Sequence, residues 1–253
     1  MGRGGRAPPK GSDITRRQYA LVVTDVDGTL TDASRRLDPE ALRCVRALED
    51  RQIPVVLATG NVLPIALALH RSLGLTGPIV AENGGMLWWK GADGRDRVRR
   101  LADRRPALVA YRVLRRAGLP VRRLFTDRWR ESEVALEPNV SVAAVRACVR
   151  SHPIAVESTG YAIHLMERGA GKAPALVRAL APLGWSLADA VVLGDGDNDV
   201  QMLRAAGFGV SFPSGSPRAR AAADYVTKGS YSLGFVEGLK ASRVLGRTGS
   251  ILE

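Results

Sequence analysis

Cysteine is almost absent from this 253-residue chain: Cys44 and Cys148 stand far apart in helix-like segments. That excludes a disulfide framework and a cysteine zinc site, and it points to reduced thiols in a cytoplasmic protein. Aromatic residues make up 5% of the chain, too few for the stacking platforms of single-strand nucleic-acid binders. No apolar run approaches the ~20 residues that cross a bilayer, so no membrane partner is expected. The stretch Met1–Gly11 carries positive charge with no apolar segment behind it, which excludes a secretory signal, and residues 1–18 read as a mobile basic tail.

Lysine is scarce too, with five lysines against thirty-two arginines. The net charge of +12 invites a nucleic-acid reading, but the arginines scatter over helix faces and no binding motif gathers them. The charge reads instead as a solvated surface, with attraction of small anionic substrates as its functional use. No nucleic-acid partner is expected. A homodimer is compatible with the sequence, although no exposed stripe selects one.

Acids occur where a soluble core cannot use them. The run from Tyr19 to Thr24 has the β-branched and apolar content of a buried parallel strand, and it ends in Asp25-Val26-Asp27-Gly28. Both carboxylates therefore stand at the carboxyl end of a strand, where open α/β sheets bind ligands. A second apolar strand, Ala190–Gly194, runs into Asp195, Asp197 and Asp199. Acids converging on one crevice repel unless a cation joins them, and an all-oxygen set suits a hard divalent ion, most simply Mg²⁺. A calcium loop is excluded because its sixth and twelfth positions would be Val200 and Ala206. A carboxylate such as Asp25 can act as a nucleophile, and Asp27 can serve as general acid and base. Turn aspartates after a strand are the plain alternative for that pair.

Strand and helix signals alternate along the chain: strand 19–24, helix 39–50, strand 53–58, helix 62–73 and strand 78–81. Asp38 and Pro39 open the first helix as N-cap and first helical residue. This βαβαβ order predicts a doubly wound parallel sheet. The pattern then changes to a hairpin, 86–90 and 95–101, followed by helix 104–117, strands 121–126 and 132–136, helix 140–150, and strands 154–158 and 161–166. From 171 the α/β alternation returns. The expected fold is thus an α/β core, 19–85 with 168–253, holding an inserted α+β cap at 86–167. Asn83 to Gly85 read as a hinge or pocket edge. Thr59-Gly60-Asn61 at a strand end suits a phosphate cradle, or equally an ordinary helix cap. Lys172 opens a helix after Arg168-Gly-Ala-Gly171, where a compact point charge suits a phosphoryl oxygen and a carboxylate.

In chain order these elements are D-x-D-G-T-L, a threonine after a strand, a lysine at a helix start and G-D-x-x-x-D after a strand. The combination resembles the haloacid dehalogenase superfamily of Mg²⁺-dependent phosphotransferases. An α+β insertion after the third core strand is similar to the type II cap of its Cof-like branch. Thr59–Pro64, Ala81–Gly85, Thr126–Glu131 and Tyr161–Gly169 resemble the archaeal-type phosphoglycolate phosphatases. The resemblance implies Asp25 as nucleophile and Asp27 as acid/base. It implies Thr59, Gly60, Asn61, Lys172 and Asn198 around the phosphoryl group. A Mg²⁺ site would form from Asp25, the Asp27 backbone carbonyl, Asp195 and Asp199. The implied reaction is hydrolysis of 2-phosphoglycolate, a small anionic phosphomonoester, whose carboxylate Arg128, Arg130 or His164 of the cap would read. A sugar-phosphate phosphatase, or a phosphomannomutase-like phosphotransferase, shares the same elements. A basic nucleic-acid binder with an idle site is the remote alternative, opposed by the intact four-part set. The basic tail and the arginine-rich cap depart from the family pattern without touching that set.

Overall fold

The computed structural model describes residues 19–244; the expected tail at 1–18 lies outside the described residues. Eight strands form one sheet: β1 (Leu21–Thr24), β2 (Val55–Ala58), β3 (Ile79–Ala81), β4 (Met86–Lys90), β5 (Asp96–Arg100), β9 (Ala190–Leu193), β10 (Phe208–Ser211) and β11 (Tyr225–Val226). Their spatial order is β11-β10-β9-β1-β2-β3-β4-β5. From β11 to β3 every pairing is parallel, with Val22 opposite both Val55 and Val191. Chain order therefore runs in opposite directions on the two sides of β1. The carboxyl end of β1 opens at the topological switch point, where doubly wound sheets take their ligands.

Helices cover both faces. On one side α1 (Pro39–Asp50), α2 (Leu63–Leu73) and α8 (Tyr231–Ser242) pack Val45, Leu48, Ala66 and Phe235 against Val22, Val55 and Leu193. On the other, α5 (Lys172–Leu180), α6 (Val200–Ala205) and α7 (Pro217–Ala222) pack Leu176, Met202 and Ala219 against Leu21, Val56 and Val192. Strand residues alternate between the two cores, which explains why the sequence reads as a continuous apolar run. Asp38 caps α1 as expected, accepting from the Glu40 and Ala41 amides at 2.8 and 3.2 Å. Such a cap contributes about 1 kcal/mol.

A second layer carries α3 (Arg105–Arg116), β6 (Glu133–Leu136), α4 (Val142–Val149), β7 (Ile154–Ser158) and β8 (Ile163–Glu167). Its three-stranded antiparallel sheet has the order β6-β8-β7. Leu114, Val134, Val145 and Leu165 form its separate core. Two expectations need correction. The hairpin at 86–101, read as the start of the insert, extends the large sheet instead: β4 pairs antiparallel with β3, Val80 opposite Leu87. Met86, Leu87 and Trp88 are buried there, so β4 finishes an edge that β3 would otherwise expose. The strand expected at 121–126 does not form. One bridge joins Arg123 to Leu136, and the chain then coils into a 3-10 turn, Phe125–Trp129. Buried Asp127 sets that turn by accepting from the Ala135 amide at 2.8 Å and from Arg104 at 2.8 Å. No helix among the described residues is long and apolar enough to cross a membrane.

Candidate active site

Asp25 leaves β1 with its amide bonded to the Leu193 carbonyl of β9 at 3.0 Å, so the two acidic turns lie side by side. Gly28 makes the turn possible. Its φ is +85°, and a Cβ there would overlap the Asp195 carboxylate. Asp25, Asp195 and Asp199 consequently bring carboxylate oxygens within 4.8 Å of one another.

Lys172 enters this cluster from the first residue of α5. Its Nζ donates to Asp25 Oδ1 at 2.6 Å and to Asp199 Oδ1 at 2.7 Å, and all three groups are buried. Burial disfavours the ammonium, but Asp199 and Asp25 outweigh it and hold the lysine pKa above its ordinary value. Asp199 Oδ2 accepts from the amides of Asp195 and Gly196 at 3.1 and 2.9 Å, which orients that carboxylate and leaves acceptor capacity for one further partner. Burial pushes Asp25 well up; Lys172 opposes this, and Asp199, Asp195 and Asp27 add to it. Asp195 is pushed up to about 7, by burial first and then by Asp199. One ammonium does not neutralise two buried acids and a half-buried third. The surplus negative charge and the all-oxygen donors fit a hard divalent cation, which would bring these pKa values back down. The Asp27 side chain stays outside the three-carboxylate set.

The remaining expected residues ring the cluster. Asn61 Nδ2 donates to Asp27 Oδ2 at 2.7 Å, orienting that carboxylate. The Thr59 hydroxyl accepts from the Asn61 amide at 3.0 Å and shapes the loop around Gly60. Asn198 Nδ2 donates to Asn83 Oδ1 at 2.9 Å. From the second layer, Arg130 Nη1 donates to the Gly60 carbonyl at 3.0 Å, and Arg130 and His164 Nδ1 meet on Glu133 Oε1. Arg128 is not brought into this ring. It is exposed, with its guanidinium 4.5 Å from the Phe125 ring centre and 5.5 Å from that of Trp129.

Glu133 and Glu82 were not read from the sequence as site residues, and Asn83 was read as a hinge or pocket edge. Glu133 is buried; burial alone would raise its pKa, but His164 and Arg130 pull it down to about 2. Asn83 Nδ2 donates to Glu133 Oε2 at 3.1 Å, tying the two layers together. Glu82 accepts from the Ser132 amide and hydroxyl at 2.9 and 2.6 Å. Glu82 and Asn83 both have positive φ, 50° and 52°, in a tight 3-10 turn. Such backbone persists only where surrounding contacts over-determine it, and these contacts do. A lone acid at the head of the apolar strand Glu133–Leu136 was the available signal for Glu133.

Paired carboxylates at a switch point, a buried lysine between them and a second layer over the strand ends mark an α/β enzyme whose acid cluster could hold a metal ion. Residues 22–113 and 136–239 match the haloacid dehalogenase-like hydrolase family, and the chain belongs to it. It is 37% identical over 220 residues to the phosphoglycolate phosphatase of Methanothermobacter thermautotrophicus, covering 87% of this chain and 96% of that one. The phosphoglycolate phosphatase of Methanoculleus marisnigri is 38% identical over 224 residues, covering 87% and 94%. The crystal structure of Thermoplasma acidophilum 0175 aligns with a TM-score of 0.78 at 28% identity, covering 89% of this chain and 99% of that one. The family read in the sequence is thus the family that matches, and the chain is a hydrolase.

Proposed function

We propose that this enzyme is a Mg²⁺-dependent phosphatase that hydrolyses 2-phosphoglycolate to glycolate and phosphate through an aspartyl-phosphate. The observation that carries the reading is Lys172 bridging Asp25 and Asp199 within a three-carboxylate cluster at the head of β1. The relatives named as phosphoglycolate phosphatases over most of both chains support the substrate.

Asp25 attacks phosphorus, and the ester P–O bond breaks. Asp27, held by Asn61, gives its proton to the departing glycolate oxygen. Asp27 then takes a proton from water as that water attacks phosphorus, which frees phosphate and restores Asp25. Lys172 keeps Asp25 oriented and offsets negative charge on the transferring group. Thr59 and the loop at Gly60 and Asn61, whose amide donates to the Thr59 hydroxyl, line the phosphoryl side. When bound, Mg²⁺ on Asp25, Asp195, Asp199 and the Asp27 carbonyl supplies further neutralisation of that charge. Arg130 and His164 face the site from the second layer, Arg130 through its bond to the Gly60 carbonyl. Arg130 Nε is buried with no partner among the described residues, which leaves a donor for a substrate oxygen.

Phosphate release from a panel of small phosphomonoesters, with Mg²⁺ and with EDTA, tests the proposal in wild type and Asp25→Asn. Mg²⁺-dependent turnover strongest on 2-phosphoglycolate and abolished in Asp25→Asn is the expected result. Turnover strongest on sugar phosphates would retire the substrate. Turnover that survives in Asp25→Asn would retire the aspartyl-phosphate.

A further inference from the structure

The substrate reading places a demand on geometry. In 2-phosphoglycolate a single methylene separates the scissile oxygen from the carboxylate. Both carboxylate oxygens therefore lie within about 4 Å of the oxygen that Asp27 protonates. Any cation that reads the carboxylate has to stand beside Asp27.

Arg130 and His164 are poorly suited to that task. Both already share the ionised Glu133 carboxylate, which offsets positive charge in their cluster. It offers hydrogen bonds but little attraction for a second anion. Arg35 meets the demand. Its Nη2 lies 3.9 Å from Asp27 Oδ1, and its side chain remains half exposed. It belongs to the short loop after β1, closed by the Thr31–Leu37 bridge. Asp32 fixes that loop, accepting from the Ser34 and Arg36 amides at 2.8 and 3.0 Å and bonding through its backbone to Arg35 and Arg36. Arg35 holds a φ of +65°, a position where glycine or asparagine is the ordinary choice. Its guanidinium carbon sits 3.9 Å from the centre of the Tyr161 ring. Tyr161 comes from the turn between β7 and β8, where Thr159 Oγ1 accepts from the Tyr161 and Ala162 amides at 3.3 and 3.1 Å. Arg35 is thus a cation beside the acid/base carboxylate, held by a core loop below and an aromatic face of the cap above.

Building on the phosphoglycolate reading, we propose that Arg35, clamped by Tyr161, is the specificity-determining residue that binds the substrate's carboxylate. The planar guanidinium suits a carboxylate in two-pronged contact, and the Tyr161 ring of the second layer already covers it.

The test compares 2-phosphoglycolate with 2-hydroxyethyl phosphate, which carries a hydroxymethyl group in place of the carboxylate. Wild type, Arg35→Gln, Arg35→Lys and Tyr161→Leu are assayed with both. Arg35→Gln is expected to lower the ratio of the two kcat/KM values by about 10- to 100-fold, chiefly through a higher KM for 2-phosphoglycolate. Arg35→Lys should recover part of that ratio, and Tyr161→Leu should lower it less than Arg35→Gln. If Arg35→Gln slows both esters equally, Arg35 serves Asp27 and the inference is overturned. A wild-type preference that persists in Arg35→Gln also overturns it, while leaving the phosphoglycolate reading intact. A wild type with no preference for the carboxylate ester removes that reading and this inference together.

Discussion

Replacing Lys172 by methionine removes one charge from the centre of the site while keeping most of the side chain's volume. In the native arrangement the ammonium makes two short bonds, 2.6 Å to Asp25 and 2.7 Å to Asp199, with no solvent to take its place. Breaking a buried ion pair by removing one partner costs about 3–5 kcal/mol, because the other charge is left unpaired. Here two carboxylates lose their partner, and Asp195 stands beside them. In EDTA the melting temperature of Lys172→Met should fall by roughly 6–20 °C for a chain of this size. Saturating Mg²⁺ should restore part of that loss, because the cation takes over the role of the ammonium, and the stabilisation by Mg²⁺ should be larger in the variant than in wild type. Activity should fall by about 100-fold or more even with Mg²⁺, since charge on the phosphoryl group goes unmatched. Thermal unfolding followed by circular dichroism, with EDTA and with Mg²⁺, checks all but the last of these. A variant that melts within about 2 °C of wild type in EDTA would refute the argument that Lys172 holds this cluster together.

Glu133 gives a pH signature. Its folded pKa of about 2 lies below the ordinary 4.5, so its stabilising contribution is present above pH 4.5 and is lost as pH falls toward 2. That contribution is about 3 kcal/mol, and Glu133→Gln should lose it at pH 7 and show a shallower acid limb in urea unfolding; equal acid limbs would contradict the pairing with Arg130 and His164. Gly28→Ala forces a left-handed turn on alanine and presses a Cβ into Asp195, so it should cost about 1–3 kcal/mol and raise the Mg²⁺ concentration needed for half-maximal rate. A Mg²⁺ titration of Gly28→Ala that overlays the wild-type curve would show that the turn does not position Asp195.

What could be read from the sequence and what could not divide along a physical line. Asp25, Thr59 and Asp195 each follow an apolar strand, and parallel pairing of β2, β1 and β9 puts those strand ends in one crevice. Lys172 stands at the helix start that faces that crevice. For these residues local structure plus one topological rule suffices, because the sheet converts sequence position into spatial position. Glu133, Asn83 and Arg35 have no such rule. Their partners are Arg130 and His164 for Glu133, Glu133 and Asn198 for Asn83, and Asp27 and Tyr161 for Arg35. Several of those contacts exist only because the second layer seats on the first in one register, and no local periodicity encodes that seating. The same logic explains the misplaced hairpin. Met86–Lys90 carries the signal of a strand, but whether it pairs with β3 or with the insert depends on which edge is left open. Arg130 shows the boundary most clearly. Its charge and its place in the insert made it a reader of substrate on sequence grounds. Only the buried Glu133 beside it reveals that its charge is already matched, which shifts the search to a more exposed and more loosely paired cation, Arg35, on the loop after β1.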